Sequence, residues 1–495
     1  ILGLKNAHFV KTNRDETRSA VLKPMKGWKR PPPPKFKFDE SKPTLRTLTR
    51  AVNSKKTKSA PGMNGIPYVV YKKCPALLPF LLLIFERVWT EKKVPQSWQR
   101  GVIILIPKGT TKDRSQPSEF RPIALLNAEG RLFFTLMEWK LSDYMTMNKY
   151  LDPSIQKGFM KEVSGCVEHS ETVYRAVLDA RKHKQDICVS WVDLANAYGS
   201  VKHSLILFSL EWYHTPASFC ELMWRYYEGL MARAEVNGTL TDWFRFEIGV
   251  FQGCTISTVL FNTAFNTSFE HIQPLKEECA YHFKKTQVGK ISLKGMKKEF
   301  KPVPHNYPVL SSFEQGYADD GAFTTGTRMG RSAAENNERV LKRLEEWLKW
   351  TRSMKAKPPK CIVAGLKAGK SFDPKVRVWF EEKDHRWYPK WLDDDIFKHL
   401  GKGLSGDGKH GWQAEALLKK FTSIITTVDE CLLTGPHKLW IFNFMGMSKL
   451  AWDFMQSDLP MSFFKKTSGK FKTASSRNGP SSRNARIRPS CTGQR

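Results

Sequence analysis

Tyr317-Ala318-Asp319-Asp320 sets two adjacent acidic residues between short apolar stretches, the pattern of a hairpin tip that presents both carboxylates. Two like charges side by side repel and raise each other's pKa unless a cation sits between them. The pair gains meaning when a third carboxylate can join it. Asp193 is the candidate. It ends Ile187-Cys188-Val189-Ser190-Trp191-Val192, a β-branched and aromatic run that reads as a strand before the chain turns polar at Asn196. A carboxylate at one strand end and a pair at a neighbouring hairpin can hold two Mg²⁺ ions for in-line phosphoryl transfer.

The rest of the chain suits such a centre. Its 495 residues are 41% hydrophobic, material for a sizeable core and roughly two to four subdomains. Lys+Arg number 80 against 48 Asp+Glu, a formal net charge of +32. Solubility of a small domain asks for only about 2 to 8, so a polyanionic partner is the natural reading. The 9 cysteines are scattered singly with no C-x-x-C, which excludes a zinc finger or knuckle and suits a reducing intracellular compartment. The longest apolar run, Ala76 to Phe85, is broken by Pro79 and is about half a membrane span, so it is expected to be a buried helix. The opening Ile1-Leu2-Gly3-Leu4 has no initiating methionine and does not resemble a signal peptide; the chain is expected to be a fragment of a longer polyprotein.

Residues 1–60 read as a basic N-terminal arm or linker, stiffened by Pro31-Pro32-Pro33-Pro34. A compact region of alternating strand and helix patterns runs from about Pro61 to Gly401. Within it, Ser332 and Glu335 form a capping-box pattern, after which Val340, Leu341, Leu344, Trp347, Leu348 and Thr351 fall on one helical face. Leu417, Leu418, Phe421, Ile424, Ile425, Val428 and Leu432 predict a further helical subdomain, and the Ser/Arg-rich stretch after about 466 is expected to be disordered. Ala364-Gly365-Leu366-Lys367-Ala368-Gly369-Lys370-Ser371 nearly satisfies a phosphate-loop pattern. A helix must follow such a loop, whereas Phe372 to Trp379 reads as a strand, so a glycine-rich hairpin is expected instead. Asp393-Asp394-Asp395 reads as a solvated turn.

Set beside its neighbours, the acidic pair resembles the catalytic motif of non-LTR (LINE-type) retrotransposon reverse transcriptases, over roughly residues 58 to 401. Pro61-Gly62-Met63-Asn64-Gly65-Ile66-Pro67 resembles the opening segment, with Asn64 where the family usually has aspartate. Ile104-Leu105-Ile106-Pro107-Lys108 and Phe120-Arg121-Pro122-Ile123-Ala124-Leu125 resemble two finger strands. Gln156-Lys157-Gly158-Phe159, followed by Gly165-Cys166 and His169, resembles the stretch before the palm. Asp193-Leu194-Ala195-Asn196-Ala197-Tyr198 resembles the first palm motif, Gly249 to Ser257 the loop beneath the template–nucleotide pair, and Phe397-Lys398-His399-Leu400-Gly401 the primer-gripping hairpin.

The resemblance implies an α+β right-hand polymerase: fingers over 61–185, a palm of antiparallel sheet backed by helices over 186–401 with a basic insertion at 270–310, a helical thumb over 402–465, and a basic tail over 466–495. It implies that Asp193, Asp319 and Asp320 hold two Mg²⁺ ions, for which Mn²⁺ can substitute, and that Lys360 acts as general acid toward pyrophosphate. Lys108, Arg121, Leu194, Tyr198, Gln252 and Gly253 would bind the nucleotide. Lys108 supplies a point charge and Arg121 a planar fork for phosphate, and Tyr198 leaves no room for a 2′-hydroxyl. The partners implied are an RNA template, a DNA primer or target and deoxynucleoside triphosphates, with no membrane, in the nucleus after a cytoplasmic ribonucleoprotein stage. A group II intron-type or cellular reverse transcriptase, or a non-catalytic nucleic-acid-binding remnant, are the alternatives. Template, target site and oligomeric state are not legible in these residues.

Overall fold

The structure is a computed structural model that describes residues 22–108, 119–284 except 162 and 164, 310–376, 390–391, 396–405, and 411–465 except 458, 460–462 and 464. Two sheets share one continuous core. The first is built on strands β1 (Arg100–Pro107) and β2 (Phe120–Leu125), an antiparallel pair in which Ile106 faces Arg121 and Val102 faces Leu125. The second is built on β3 (Ile187–Val192). A later strand, β4 (Met231–Val236), lies parallel to β1, so residues 231–236 join the first sheet although they fall within the stretch expected to be palm.

In the second sheet β3 is flanked by β6 (Asp320–Gly326) on one side and β7 (Ile362–Lys367) on the other, both antiparallel to it. β5 (Glu314–Tyr317) closes the edge against β6. Every residue of β3 is buried, as a central strand covered on both faces should be. Side chains alternate accordingly. Cys188, Val192, Phe323 and Val363 join one core with helices α3 (Ser257–Ile272) and α4 (Ala333–Thr351); Ile187, Val189, Trp191, Ala322 and Leu366 face α2 (Cys166–Lys182). The capping box at Ser332 and Glu335 is present, and the six residues of the predicted face of α4 are all buried.

Several expectations change against this frame. Residues 22–60 do not hang free. Trp28 packs on Trp350 and Trp212, with ring centroids 5.0 and 5.5 Å away, and its indole N–H donates to His271 Nδ1 at 2.9 Å. Tyr150 donates to the Pro32 carbonyl at 2.8 Å, and Phe38 is buried between Tyr144 and Phe219. Helix α1 (Leu45–Ser54), capped by Thr44 and Thr47, buries Leu48, Ala51 and Val52. Burial of a leucine, valine or phenylalanine such as Leu48, Val52 or Phe38 contributes about 1.5–3 kcal/mol, which a composition-based reading as a charged arm overlooks. The proline run is therefore tied down to the body, with the Pro31 carbonyl 2.8 Å from His214 Nε2 and the Pro32 carbonyl held by Tyr150.

The apolar run near Ala76 forms helix Leu78–Glu91, but only one stripe is buried: Phe80 is 68% and Leu83 65% exposed, while Leu81 and Phe85 are buried. A continuous apolar run encircles a helix, and a single core takes one side. Residues 270–284 belong to the ordered body, with Tyr281–His282 pairing with Ser311–Ser312; the Lys-rich part from 285 to 309 lies outside the described residues. Ala368-Gly369 turns β7 into a hairpin with Lys370–Ser371, and Phe372–Val376 is not a strand; 377–379 and Asp393 to Asp395 lie outside the described residues. Lys402–Ser405 is a strand paired with Ile396–His399, the next described helix is Gly411–Glu430, and Leu432, past its end, is fully exposed. The tail after 465 lies outside the described residues. Among the described residues no helix is long and apolar enough to cross a membrane.

Candidate active site

Strand register builds the acidic centre. Gly321 faces Val192 across β3 and β6, so one step further brings Asp193 alongside Asp320. Tyr317 pairs with Asp320 across the β5–β6 hairpin, leaving Ala318-Asp319 as its two-residue turn. Beyond Asp193 the chain leaves β3 and lies against 355–357: Lys357 N–H donates to the Asp193 carbonyl at 2.7 Å, and Ala195 N–H to the Lys355 carbonyl at 2.8 Å. That pairing carries Lys360 back to the site, its ammonium 3.2 Å from Asp193 Oδ2.

Burial and mutual repulsion act on the acidic centre together. The Asp319 carboxyl is raised above its ordinary value by desolvation first, with Asp193 adding repulsion and Lys360 opposing it. Asp320 is open to solvent on its outer side, yet its carboxyl is pushed up to about 7 by desolvation, then by Asp319 and Asp193. Water at the exposed edge screens part of that repulsion. Among the described residues no three Asp, Glu, His or Cys side chains already stand as a metal cage. Anionic hard oxygens that repel one another and draw in a lysine nevertheless fit Mg²⁺ by donor chemistry.

The cations lie beside the carboxylates. Lys108, at the end of β1, has its ammonium lowered by desolvation and then by Lys357, Lys360 and Arg121, which places four basic side chains in one field. Arg121 is exposed on β2 opposite Ile106. Tyr198 stacks on Phe261 of α3 with centroids 4.6 Å apart and planes 12° from parallel. Burial raises its phenol, and Asp319 adds to that effect. The Gln252 carbonyl accepts from Ala124 N–H at 2.7 Å, which fastens the loop to β2. Gly253 has φ +137°, and a Cβ there would meet the Ala124 carbonyl oxygen at 2.3 Å, so this glycine is required for the loop's seat against the strand. Leu194 is buried, leaving its backbone as the part that can face a nucleotide.

Asn64 departs from the family pattern for a local reason. Its amide donates to both Glu129 oxygens at 2.9 and 3.1 Å, and Tyr71 donates to the same carboxylate at 2.6 Å. An aspartate at 64 would set a second carboxylate against Glu129. Lys357 and Phe261 escape a reading of the sequence as site residues. A place in the same Lys357-Pro358-Pro359-Lys360 stretch as Lys360 is a signal for the first; a core phenylalanine gives none for the second.

The profile of the family described as reverse transcriptase (RNA-dependent DNA polymerase) matches residues 106–370, more than half of the chain. The chain is 26% identical over 204 residues to the retrovirus-related Pol polyprotein from type-2 retrotransposable element R2DM of Drosophila melanogaster, which covers 41% of this chain and 18% of that protein. It is 24% identical over 219 residues to the probable RNA-directed DNA polymerase from transposon BS of the same organism, covering 44% and 24%. A type-1 retrotransposable element R2 polyprotein of Nasonia vitripennis is 23% identical over 207 residues, covering 41% and 19%. The matched stretch thus spans about a quarter or less of these relatives' lengths. With more than half of its residues matched, and with retrotransposon polyproteins as its relatives, the chain belongs to the reverse transcriptase family, in its non-LTR retrotransposon branch.

Proposed function

We propose that this chain copies RNA into DNA from a primer 3′-hydroxyl, with 61–185 acting as fingers, 186–401 as palm except for the strand 231–236 that joins the first sheet, and 411–465 as thumb. The observation that carries the reading is the antiparallel register that sets Asp193 beside the Asp319-Asp320 turn. Asp193 and Asp319 would hold the divalent cations, with Asp320 assisting from the outer edge. Bound there, such ions supply Lewis-acid stabilisation of the triphosphate and lower the pKa of the primer hydroxyl.

The chain's own groups do the remaining work. Arg121 and Lys108 fix the phosphates, and Lys357 adds to their field. Tyr198, braced by Phe261, blocks the space a 2′-hydroxyl would need. Gln252 and Gly253 shape the floor under the base pair. Lys360, with a side chain 58% exposed, can exchange Asp193 for the leaving pyrophosphate and give it a proton. The template is proposed to be the element's own RNA and the primer a DNA end.

Primer extension on an RNA template with Mg²⁺ and deoxynucleotides tests this. Incorporation by the unaltered chain that disappears in Asp319→Ala/Asp320→Ala, with RNA binding retained, is the expected result. RNA binding with no incorporation by either protein would instead assign the chain as a nucleic-acid-binding remnant.

A further inference from the structure

The turn that carries Asp319 is unusual for its sequence. Ala318 takes φ +55° and Asp319 stays outside the left-handed region, the pattern of a type II′ turn, whose first central position ordinarily calls for glycine. An alanine persists there only if its surroundings over-determine the conformation.

Gln156 supplies that determination. Its side chain is fully buried, and its amide makes both bonds available from one residue's backbone: Oε1 accepts from Ala318 N–H at 2.7 Å and Nε2 donates to the Ala318 carbonyl at 3.1 Å. Oε1 also accepts from Gly158 N–H at 2.9 Å. The amide thus replaces the missing partner strand at the point where the hairpin turns. The segment bearing it is itself tied to β5: Gly316 N–H donates to the Ile155 carbonyl at 2.6 Å, and Lys157 N–H donates to the Gly316 carbonyl at 3.0 Å. His169 braces the same Ile155 carbonyl at 2.9 Å. A Cβ on Gly158 would meet Ala318 N at 2.1 Å, so the two chains pass too closely for any side chain there. Asn262 of α3 donates to the Gly158 carbonyl at 2.6 Å, one residue after the Phe261 that braces Tyr198.

We propose that Gln156 is a positioning residue for Asp319: through Ala318 it fixes the turn that aims this carboxylate toward the space shared with Asp193 and Asp320. The inference rests on the function proposed above and deepens it. Gln156 touches no substrate. Its influence passes through the backbone of one strained residue.

Gln156→Met keeps the length and bulk and removes all three hydrogen bonds; Gln156→Asn, a methylene shorter and unable to reach both groups of Ala318, replaces it if the methionine variant does not fold. Adding Ala318→Gly to either variant lets the turn adopt its positive φ without strain. Each full chain is compared with the unaltered one by amide hydrogen exchange without metal, and by RNA-templated incorporation with Mg²⁺ and deoxynucleotide varied separately. Exchange across 317–320 is expected to rise about tenfold while Ile187–Val192 is unchanged. Half-saturating Mg²⁺ is expected to rise about tenfold, the scale of losing a group that orients a metal ligand. The kcat is expected to fall by up to about 10²-fold, with the deoxynucleotide KM within about twofold and a partial recovery on adding Ala318→Gly. Unchanged exchange, an unchanged Mg²⁺ requirement, or a loss confined to the nucleotide KM overturns the proposal. Failure of the unaltered chain to incorporate in an Asp319-dependent way removes the proposed function and this inference together, whereas normal incorporation by all variants removes the inference alone.

Discussion

Two hairpins on the same sheet reverse the chain in two residues and do so differently. At Ala368-Gly369 both residues have positive φ, 49° and 76°, the I′ geometry that suits strand twist, with glycine at the second position. An Asp186 oxygen accepts from Ala368 N–H at 2.7 Å at an exposed edge. At Ala318-Asp319 glycine is absent, one alanine is held left-handed by a buried amide from a distant segment, and the carboxylates that result repel one another. The first turn joins strands. The second stores strain and unfavourable charge where chemistry is proposed, and buried scaffolding elsewhere offsets both.

The largest expected break in that comparison is Asp319→Asn. Incorporation should fall by about 10²–10³-fold, the scale of losing a preorganised electrostatic group. Asp186→Asn at the other hairpin should leave the rate unchanged and lower stability by no more than about 0.5 kcal/mol. Steady-state rates and thermal unfolding of the two variants check both halves.

Next in size is Tyr198→Ala, which removes the ring stacked on Phe261 and opens the space beside Asp319. The preference for deoxy- over ribonucleotides, read as a ratio of kcat/KM, should drop by about 10²-fold. An unchanged ratio would make Tyr198 a core residue.

A smaller effect is the pH dependence of stability with divalent ions chelated. Asp320 is raised to about 7 in the folded chain, so the folded state binds its proton more tightly than the unfolded state does. Its contribution is present at low pH and is lost as pH rises from the ordinary carboxylate range through about 7. Glu138 and Glu270, each also raised to about 7 by desolvation, act in the same direction. His169 and His203, each lowered to about 4 by burial, act in the opposite direction, so the contribution of Asp320 is read as a difference: its fall in melting temperature across that window is present in the unaltered chain and lost in Asp320→Asn. Added Mg²⁺ should also flatten it in the unaltered chain, but not in the variant to the same degree.

The smallest is Ala368→Gly. Removing a Cβ from a left-handed position, less the entropy glycine loses, should stabilise by about 0.5 kcal/mol, with no effect on rate. Chemical denaturation measures it.

What could be read in advance follows the range of the interactions involved. β3 announced itself by six consecutive strand-forming residues, and α4 by a capping box and a clean apolar face, because those signals are local. Asp193 and Asp319 could be paired because each ends an element with its own pattern. Residues 22–44 misled, since Trp28 and Phe38 find partners more than a hundred residues away and composition sees only the lysines and prolines around them. Phe80 and Leu83 misled in the opposite sense: hydrophobicity fixed a helix there but not which side met the core. Gln156 stood in a recognisable motif without a role, because a buried amide acquires meaning only from the backbone it meets.

The central claim is that carboxylates from β3 and from the β5–β6 turn form one cation site. Mn²⁺ binding by the full chain, compared between the unaltered protein and Asp193→Asn, tests it most directly. The account predicts an affinity loss of about tenfold or more in a variant whose Asp319 and Asp320 are intact, since a ligand is removed from the far side of the same site. Equal binding by the two proteins would contradict it.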